Sequence, residues 1–356
     1  MGIPPYAHAS ERGRRNKWAN SMAETQNNPD TLTYPDLDAF YRQAELLREH
    51  LRLTPVQTWE SPTKDMLLGA NCHPVLKLEL FQKAGSFKAR GALTTVSRLS
   101  NEEKTRGIVA GTGGNHGVAV ALAAKTYGVD AKIIVPQTIN AMRLQAIKDL
   151  GADVMQVASI NDVLDMMLKV ADEEGRTVVH PFEGENITLG TGTLGAEFIE
   201  QVPDLDAVIV PIGGGGLASG VACAIKQAKP DCVIYGVEPV GANTMTLAFE
   251  TNTTGTLKGG PKSIADSLSA PYSAPYSYAV CRKFIDEIVL IEDDEMRRAM
   301  KILFEDLKLA VEPAGAATTA ALIGPLKDKC AGKKVGLIIC GANIGTENFF
   351  ELIKDV

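Results

Sequence analysis

The chain has 356 residues, of which 45% are hydrophobic and 22% charged, and its formal net charge is -7. This composition is typical of soluble globular proteins, and the length exceeds the roughly 250 to 300 residues that one hydrophobic core supports, so two lobes are predicted. The negative charge argues against a nucleic-acid partner, because phosphate binding needs clustered Lys and Arg. The apolar runs are too short to span a bilayer, so no membrane association is expected.

The first 36 residues are polar and contain several prolines, so residues 1–36 are predicted to form a disordered or weakly ordered tail. They include no apolar segment of the kind that a secretory signal needs. The six cysteines form no C-x-x-C pair and no cysteine–histidine spacing suited to zinc, which indicates a reduced protein. A cytoplasmic location is therefore expected, while organellar targeting by the first 21 residues stays open.

Hydrophobic periodicity predicts an amphipathic helix at 37–51 and then a regular alternation of strands and helices. This alternation predicts an α/β protein with two doubly wound, open parallel-sheet lobes. We assign residues 37–105 and 187–356 to the large lobe and residues 106–186 to the small lobe. The predicted strands are 75–80, 107–110, 132–135, 153–157, 177–179, 207–211, 233–237 and 334–340.

Residues 269–278 contain two Ala-Pro-Tyr-Ser repeats. Proline at this density is predicted to exclude a helix and to produce a loop. We interpret the loop as a surface excursion, with a tyrosine-lined lid over a pocket as the alternative.

Open parallel sheets bind ligands at the carboxyl ends of their strands, and Lys88 lies at such a place. It is the centre of Gly-Ser-Phe-Lys-Ala-Arg-Gly, between a predicted strand and a predicted helix. An amine held among glycines there can be desolvated, and its neighbours can approach a ligand closely. The segment alone is a weak signal, because burial must lower the pKa of the amine before it becomes a nucleophile.

Two further glycine-rich loops follow predicted strands and precede predicted helices. Gly213, Gly214, Gly215 and Gly216 present bare amides at a helix start, which predicts a phosphate site, since tight packing alone would need only one or two glycines. This run is not a dinucleotide fingerprint, because Glu238, about where a ribose-binding acid would lie, is followed by proline.

The second loop runs from Thr112 to His116. The Thr112 hydroxyl and the amides of Gly113 and Gly114 suit a carboxylate, and Asn115 offers a directional side-chain amide. His116 is interpreted as a hydrogen-bonded structural residue in preference to an acid or base.

Cys340 ends the last predicted strand, and its side chain is expected to point into the crevice between the lobes. A lysine, a phosphate site and a polar atom at a strand end match the needs of pyridoxal 5'-phosphate. That cofactor requires an amine for covalent attachment, an anion site and a partner for its ring nitrogen.

In this order the motifs resemble those of the fold-type II pyridoxal-phosphate enzymes, within them the serine/threonine dehydratase and serine racemase-like family. The resemblance runs from about Leu53 to Ile344 and includes two further motifs, His180-Pro181-Phe182 and Glu312-Pro313-Ala314. It implies a cofactor in the crevice between the lobes, held by the large domain, and a homodimer. Within the family, Lys88 would bind the cofactor covalently and remove the substrate Cα proton.

The resemblance also implies the other site residues. Phe87 would pack beside the cofactor ring, Asn115 would bind the ring hydroxyl, and Cys340 would face the ring nitrogen. The phosphate would be held by Gly213, Gly214, Gly215 and Gly216. The substrate would be bound by Ser86, Thr112, Gly113, Gly114, Asn115 and His116.

The activity that the resemblance implies is α,β-elimination from a 3-hydroxy amino acid, threonine or serine by default, to a 2-oxo acid and ammonia. Dehydration of 3-hydroxyaspartate or a 3-aryl serine, serine racemization, β-replacement and non-catalytic binding of the cofactor are the alternatives. Racemases of the group have serine where this chain has Gly113, which disfavours racemization. A divalent cation stays open, since Glu238 is present but the later aspartate of that metal motif is Thr244.

Overall fold

A six-stranded sheet organises the larger lobe of the computed structural model, which describes residues 32–356. One edge strand pairs antiparallel with its neighbour, and all other neighbours pair in parallel. An antiparallel edge strand on an otherwise parallel sheet is common in α/β proteins. In spatial order the strands are β1 (Val56–Thr58), β2 (His73–Lys77), β10 (Lys334–Ile338), β7 (Ala207–Pro211), β8 (Val233–Pro239) and β9 (Glu287–Ile291).

A four-stranded, fully parallel sheet organises the smaller lobe. The chain enters this lobe after β2 and returns to the large lobe before β7, so the large sheet is built from two separate stretches of sequence. The predicted architecture, an α/β protein with two open parallel-sheet lobes, is confirmed. The strands of the small lobe are, in order, β5 (Asp153–Val157), β4 (Ala131–Pro136), β3 (Ile108–Gly111) and β6 (Thr177–Val178).

Helices cover both sheets and begin at the loops singled out in the sequence. Three of the helices begin at Lys88, at Asn115 and at Gly216. In the described residues the helices are α1 (Leu37–Leu46), α2 (Pro62–Leu68), α3 (Lys88–Ser97), α4 (Asn101–Arg106), α5 (Asn115–Tyr127), α6 (Ala141–Asp149), α7 (Asn161–Glu174), α8 (Glu185–Gln201), α9 (Gly216–Ala228), α10 (Thr244–Thr251), α11 (Pro275–Phe284), α12 (Asp293–Leu307), α13 (Pro313–Ile323) and α14 (Thr346–Ile353).

The prediction that residues 269–278 form a loop throughout was wrong for the second Ala-Pro-Tyr-Ser repeat. Helix α11 begins at Pro275, its first helical residue. At that position the missing N–H of proline would have no intrahelical partner anyway, and its fixed φ suits the helix. The proline therefore marks a helix start. Strands β1 and β9 were also missed, because short apolar runs carry little periodic signal.

Residues 32–36, the part of the predicted tail that the structure describes, pack against the large lobe. The rings of Tyr34 and Phe284 meet edge to face with centroids 5.0 Å apart. The carbonyl oxygen of Pro35 accepts a hydrogen bond from Gln227 Nε2 at 3.0 Å. Residues 1–31, and with them the question of organellar targeting, lie outside the described residues.

Two properties of the described residues bear on the expected environment. No helix there combines the length and the apolar character that crossing a membrane requires. All six cysteines lie in this part of the chain, and each is buried and free of a disulfide.

Candidate active site

The lysine segment is held by a tight turn that glycine makes possible. Ala84 and Gly85 both have positive φ, at 65° and 69°. A methyl group on Gly85 would lie 2.2 Å from Oδ1 of Asn343, so a larger residue does not fit. The Asn343 side chain in turn donates a hydrogen bond to the Ala84 carbonyl at 2.8 Å. Strained backbone and close approach together place the following residues.

Lys88 and Cys340 lie side by side because their segments pair. Ser86 forms an antiparallel bridge with Gly341, and the Phe87 amide donates to the Cys340 carbonyl at 3.1 Å. The Ser86 hydroxyl is buried and has no hydrogen-bond partner. An unsatisfied buried hydroxyl is unusual, and it leaves a polar group available to a ligand at this junction.

The Lys88 ammonium has a carbonyl as its closest polar contact. Its Nζ donates to the Pro181 carbonyl oxygen at 2.5 Å and lies 5.0 Å from the centroid of the Phe87 ring. Burial lowers the pKa of Lys88 from 10.5 to about 8, against smaller opposing effects of Cys340 and Glu312. Much more neutral amine is therefore present near neutral pH than an exposed lysine would offer.

Cys340 faces the same cavity as Lys88 and carries a neutral thiol. Burial, reinforced by Glu312, raises the pKa of Cys340 well above its ordinary value. The cavity holds about 330 Å³ of empty space, part of which is open to solvent. Its lining comprises Phe87, Lys88, Phe182, Pro211, Gly213, Gly214, Gly215, Gly216, Leu217, Ser267, Leu268 and Cys340.

The glycine run between β7 and α9 is also required for packing. A methyl group on Gly214 would lie 2.3 Å from the ring of Phe182, and one on Gly216 would lie 2.6 Å from the Phe182 Cα. Methyl groups on Gly213 and Gly215 would also meet close neighbours, at 3.1 and 2.6 Å. The argument that packing needs only one or two of these glycines was therefore wrong.

This loop nevertheless has the chemistry of an anion site. Helix α9 begins at Gly216, and the first amides of a helix have no intrahelical acceptor and carry partial positive charge. They border the cavity that contains the Lys88 amine and the Cys340 thiol. An amine, an anion site and a neutral polar atom in one cavity fit pyridoxal 5'-phosphate.

The loop from Thr112 to Asn115 is ordered by hydrogen bonds of its own. The Thr112 hydroxyl accepts from the Gly114 amide at 2.9 Å. The Asn115 side chain donates to Glu312 at 2.7 Å and accepts from the Asn343 side chain at 2.9 Å. The orientation of the Asn115 amide is therefore fixed, with its nitrogen toward Glu312.

His116 behaves as the structural residue that the sequence favoured. Its Nε2 hydrogen-bonds the Val179 carbonyl oxygen at 2.8 Å. Burial and the nearby Lys88 charge lower the pKa of His116 to about 3, so the ring is neutral. What His116 offers a ligand is its backbone amide in the first turn of α5, where helix amides lack intrahelical partners.

A charged cluster that the sequence did not reveal joins the two lobes beside this loop. Arg143 on α6 contacts Asp266 at 2.5 Å and Glu312 at 3.5 Å, and donates to the Asn343 carbonyl at 3.2 Å. Burial raises the pKa of Glu312, and Arg143 opposes this. Glu312 had appeared only as part of a motif, and Arg143 gave no signal on a helix with ordinary surface residues.

Tyr272 of the first Ala-Pro-Tyr-Ser repeat contacts the wall of the cavity. Its hydroxyl lies 3.0 Å from Nε2 of His180, and its ring centroid lies 5.3 Å from that of Phe182. His180 Nδ1 accepts from the amides of Phe182 and Glu183, so Nε2 carries the proton in the neutral ring. The first repeat thus packs against a residue that lines the cavity.

Glu238 accepts hydrogen bonds from the first turn of helix α10. Its carboxylate accepts from the Met245 amide at 2.9 Å and from the amide and hydroxyl of Thr246 at 2.7 and 2.6 Å. Burial raises the pKa of Glu238 to about 7. Within residues 32–356, no three His, Cys, Asp or Glu side chains converge as metal ligands would.

Comparison with known proteins agrees with this site. A family model described as "Pyridoxal-phosphate dependent enzyme" matches residues 47–341. A phenylserine dehydratase of Ralstonia pickettii is 44% identical over 90% of this chain and 97% of that protein. An L-threonine ammonia-lyase of Thermotoga maritima is 37% identical over 78% of this chain and 69% of its own.

Solved structures show the same relationship. The structure of maize serine racemase superimposes with a TM-score of 0.84, at 34% identity over 90% of this chain and 97% of that chain. The predicted fold type and the predicted class of enzyme, an ammonia-lyase, are confirmed by these relatives. The chain belongs to the pyridoxal-phosphate-dependent enzyme family, and pyridoxal 5'-phosphate is its cofactor.

Proposed function

We propose that this enzyme eliminates water from a 3-hydroxy amino acid and releases a 2-oxo acid and ammonia. The observation that carries the proposal is the position of Lys88, a buried amine with a pKa of about 8 in one cavity with an anion site and a neutral thiol. A base with a pKa near the working pH is suited to removing a Cα proton. When bound, the cofactor would supply the electron sink that makes this proton acidic.

The residues of the cavity then have distinct roles. Lys88 would hold the cofactor covalently and take the Cα proton, while Phe87 would pack beside the ring. Asn115 would bind the ring hydroxyl, and the neutral Cys340 thiol would face the ring nitrogen. A neutral partner keeps the ring less electron-withdrawing than a carboxylate partner would, so prompt loss of the leaving group is favoured. The phosphate is held by Gly213, Gly214, Gly215 and Gly216.

The substrate carboxylate is assigned to the loop opposite Lys88. The first amides of α5, which have no intrahelical acceptor, provide donors suited to an anion. Gly113 has no side chain that could carry a proton, which disfavours racemization. The residues proposed to bind the substrate are Ser86, Thr112, Gly113, Gly114, Asn115 and His116.

Threonine or serine is the default substrate, and a 3-aryl serine is the second candidate. Ile160 favours the second, because its side chain is 56% exposed and a methyl group on Gly113 would lie 3.1 Å from its Cδ1. An apolar surface beside the carboxylate loop suits an apolar substrate side chain. The 44% identity to a phenylserine dehydratase supports the same choice.

A second carboxylate on the substrate would find no unpaired cation in Arg143. Arg143, which lies beside Gly114, is already paired with Asp266 and Glu312. A substrate such as 3-hydroxyaspartate would have to displace one of these carboxylates to gain a charged partner.

A panel of 3-hydroxy amino acids tests the proposal. L-threonine, L-serine, and both Cβ configurations of phenylserine and 3-hydroxyaspartate are incubated with the holoenzyme, and 2-oxo acid and ammonia are measured together. We expect equal amounts of both products from at least one uncharged substrate. Retention of all substrates, with or without inversion at Cα, would overturn the proposal in favour of a racemase or a non-catalytic cofactor-binding protein.

The assembly and domain division are further parts of the proposal. The six strands of the large sheet lie in residues 37–105 and 187–356, which supports a cofactor-binding domain with these bounds and a small domain at 106–186. A homodimer in the cytoplasm is proposed from the family. Light scattering of the holoenzyme tests the first point, and a single-chain mass would contradict it.

A further inference from the structure

Ser267 lies between the two loops that the proposed function assigns to the substrate and the cofactor. It belongs to a single 3₁₀ turn, Asp266–Leu268, and lines the cavity that contains Lys88. A methyl group on Gly213 would lie 3.1 Å from the Ser267 carbonyl oxygen, and one on Gly114 would lie 4.0 Å from its hydroxyl oxygen.

The Ser267 hydroxyl makes long hydrogen bonds to Asn115 and Asp266, and it also interacts with Glu312, where it opposes the rise of the carboxyl pKa. It accepts from Asn115 Nδ2 at 3.3 Å and donates to Asp266 Oδ1 at 3.2 Å. Good O–H···O bonds are roughly 2.5–3.0 Å long and good N–H···O bonds roughly 2.7–3.2 Å, so neither contact is strong. Both partners have shorter bonds elsewhere: Asn115 to Glu312 at 2.7 Å, and Asp266 to Arg143 at 2.5 Å.

A hydroxyl with these contacts is available to a ligand. Its hydrogen can rotate away from Asp266 and Glu312 at little energetic cost, because both carboxylates retain their contacts with Arg143. The Ser267 oxygen can meanwhile keep its contact with Asn115. One donor would then be aimed into the cavity.

We propose that Ser267 donates a hydrogen bond to the 3-hydroxyl oxygen of the substrate and stabilises that oxygen as it leaves. The inference rests on the proposed elimination of water. Lys88 removes the Cα proton, and the Cβ–O bond breaks with its electron pair remaining on oxygen. The proton from Cα and the hydroxide from Cβ together make one water, so no oxidant or reductant is consumed. A donor at the departing oxygen stabilises charge that develops mainly in the transition state.

A change of leaving group distinguishes hydrogen bonding to the departing oxygen from a structural role of Ser267. Ser267→Ala is compared with the wild-type holoenzyme on two substrates: the 3-hydroxy amino acid that gives the highest turnover, and its 3-chloro analogue. Chloride leaves without a proton or a hydrogen-bond donor. We expect kcat/KM for the 3-hydroxy substrate to fall about tenfold or more, the scale of one lost hydrogen bond, and that for the 3-chloro substrate to change less than about twofold.

Ser269→Ala is the matched control. Ser269 follows the same turn, and its hydroxyl donates to the Ala265 carbonyl at 2.9 Å, away from the cavity lining. Ser267→Gly provides a second variant that lacks the hydroxyl. The absorbance of bound cofactor in each variant shows that the site is intact.

The outcomes separate the inference from the function on which it rests. Equal losses on both substrates would show that Ser267 acts through Asn115 or the cofactor, and would overturn the inference. No loss on either substrate would overturn it as well. If the wild-type enzyme releases 2-oxo acid from the 3-chloro substrate and from no 3-hydroxy amino acid, the proposed function itself fails.

Discussion

Two cations on the first turn of α3 show opposite uses of burial. Lys88 borders the cavity, and its Nζ contacts a carbonyl oxygen. Arg90, two residues further on, is only 1% exposed and binds Glu79 through two contacts of 2.8 Å and Glu197 at 3.0 Å. Burial lowers the pKa of Lys88 to about 8, whereas the two carboxylates raise the pKa of Arg90 despite its burial.

The difference lies in the partners. Desolvation disfavours the charged form of both side chains, and only a nearby carboxylate reverses this. A helical turn rotates residues two positions apart to different sides, so Lys88 reaches the cavity and Arg90 reaches the core between α3 and α8. The ion cluster thus anchors the helix whose first residue is left reactive.

Removal of Lys88 should have the largest effect. Lys88→Ala eliminates both the cofactor attachment and the base, so we expect kcat/KM to fall by about 10³-fold or more. Release of 2-oxo acid and the absorbance of the covalently attached cofactor are the measurements. Lys83→Ala is the control, because Lys83 lies in the same segment but donates to the Glu49 carbonyl at the surface. Retained activity in Lys88→Ala would refute the assignment.

Breaking the Arg90 cluster should destabilise the fold. Arg90→Met leaves Glu79 and Glu197 without their guanidinium, and loss of one partner from a buried ion pair costs about 3–5 kcal/mol. Urea unfolding measures the change in the free energy of unfolding. Arg98→Met, on the exposed end of the same helix, should change it by less than about 0.5 kcal/mol. A similar, small effect of both substitutions would show that the cluster does not anchor α3.

Removing the Lys88 charge should increase the free energy of unfolding, whereas removing the Arg90 charge should decrease it. In the apoprotein, a fall of the pKa from 10.5 to about 8 corresponds to up to about 3 kcal/mol of stability lost while the lysine is protonated. Lys88→Met should therefore be more stable than wild type below pH 8. Between pH 8 and 10.5 the unfolded chain binds more protons than the folded one, so wild-type stability rises and the gap closes. Urea unfolding of both apoproteins across this range tests the sign, and a gap independent of pH would contradict it.

Introduction of an arginine at position 160, beside the proposed carboxylate loop, should alter substrate choice. Ile160→Arg places a guanidinium beside Gly113, where the second carboxylate of 3-hydroxyaspartate could pair with it. We expect the ratio of kcat/KM for 3-hydroxyaspartate to that for phenylserine to rise by about twofold to fivefold, the scale of one exposed ion pair. Ile160→Met is the control for size. An unchanged ratio would place the substrate side chain elsewhere.

The sequence predicted those parts of the site that lie at strand ends. Lys88, the Gly213–Gly216 loop and Cys340 each follow a strand with a clear apolar pattern, and parallel strands bring their carboxyl ends to one edge. Arg143 could not be predicted in the same way. Its partners Asp266 and Glu312 are distant in sequence, and pairing between charged side chains leaves no periodic pattern.

Local chemistry also limited the prediction. Pro275 was assigned to a loop because proline density was weighed without its position, although proline is favoured at the first residue of a helix. The four glycines of the loop before α9 were attributed to a phosphate alone. The space that Phe182 and its neighbours occupy beside them becomes visible only in three dimensions.

The pH dependence of cofactor attachment tests the central claim most directly. Only the neutral amine of Lys88 can attack the aldehyde of pyridoxal 5'-phosphate, so the rate of covalent attachment to the apoprotein should follow the neutral fraction of Lys88. Stopped-flow absorbance should show this rate rising with pH, with a midpoint near pH 8. A midpoint near 10.5, as for an exposed lysine, would contradict the account, as would attachment in Lys88→Ala at the wild-type rate.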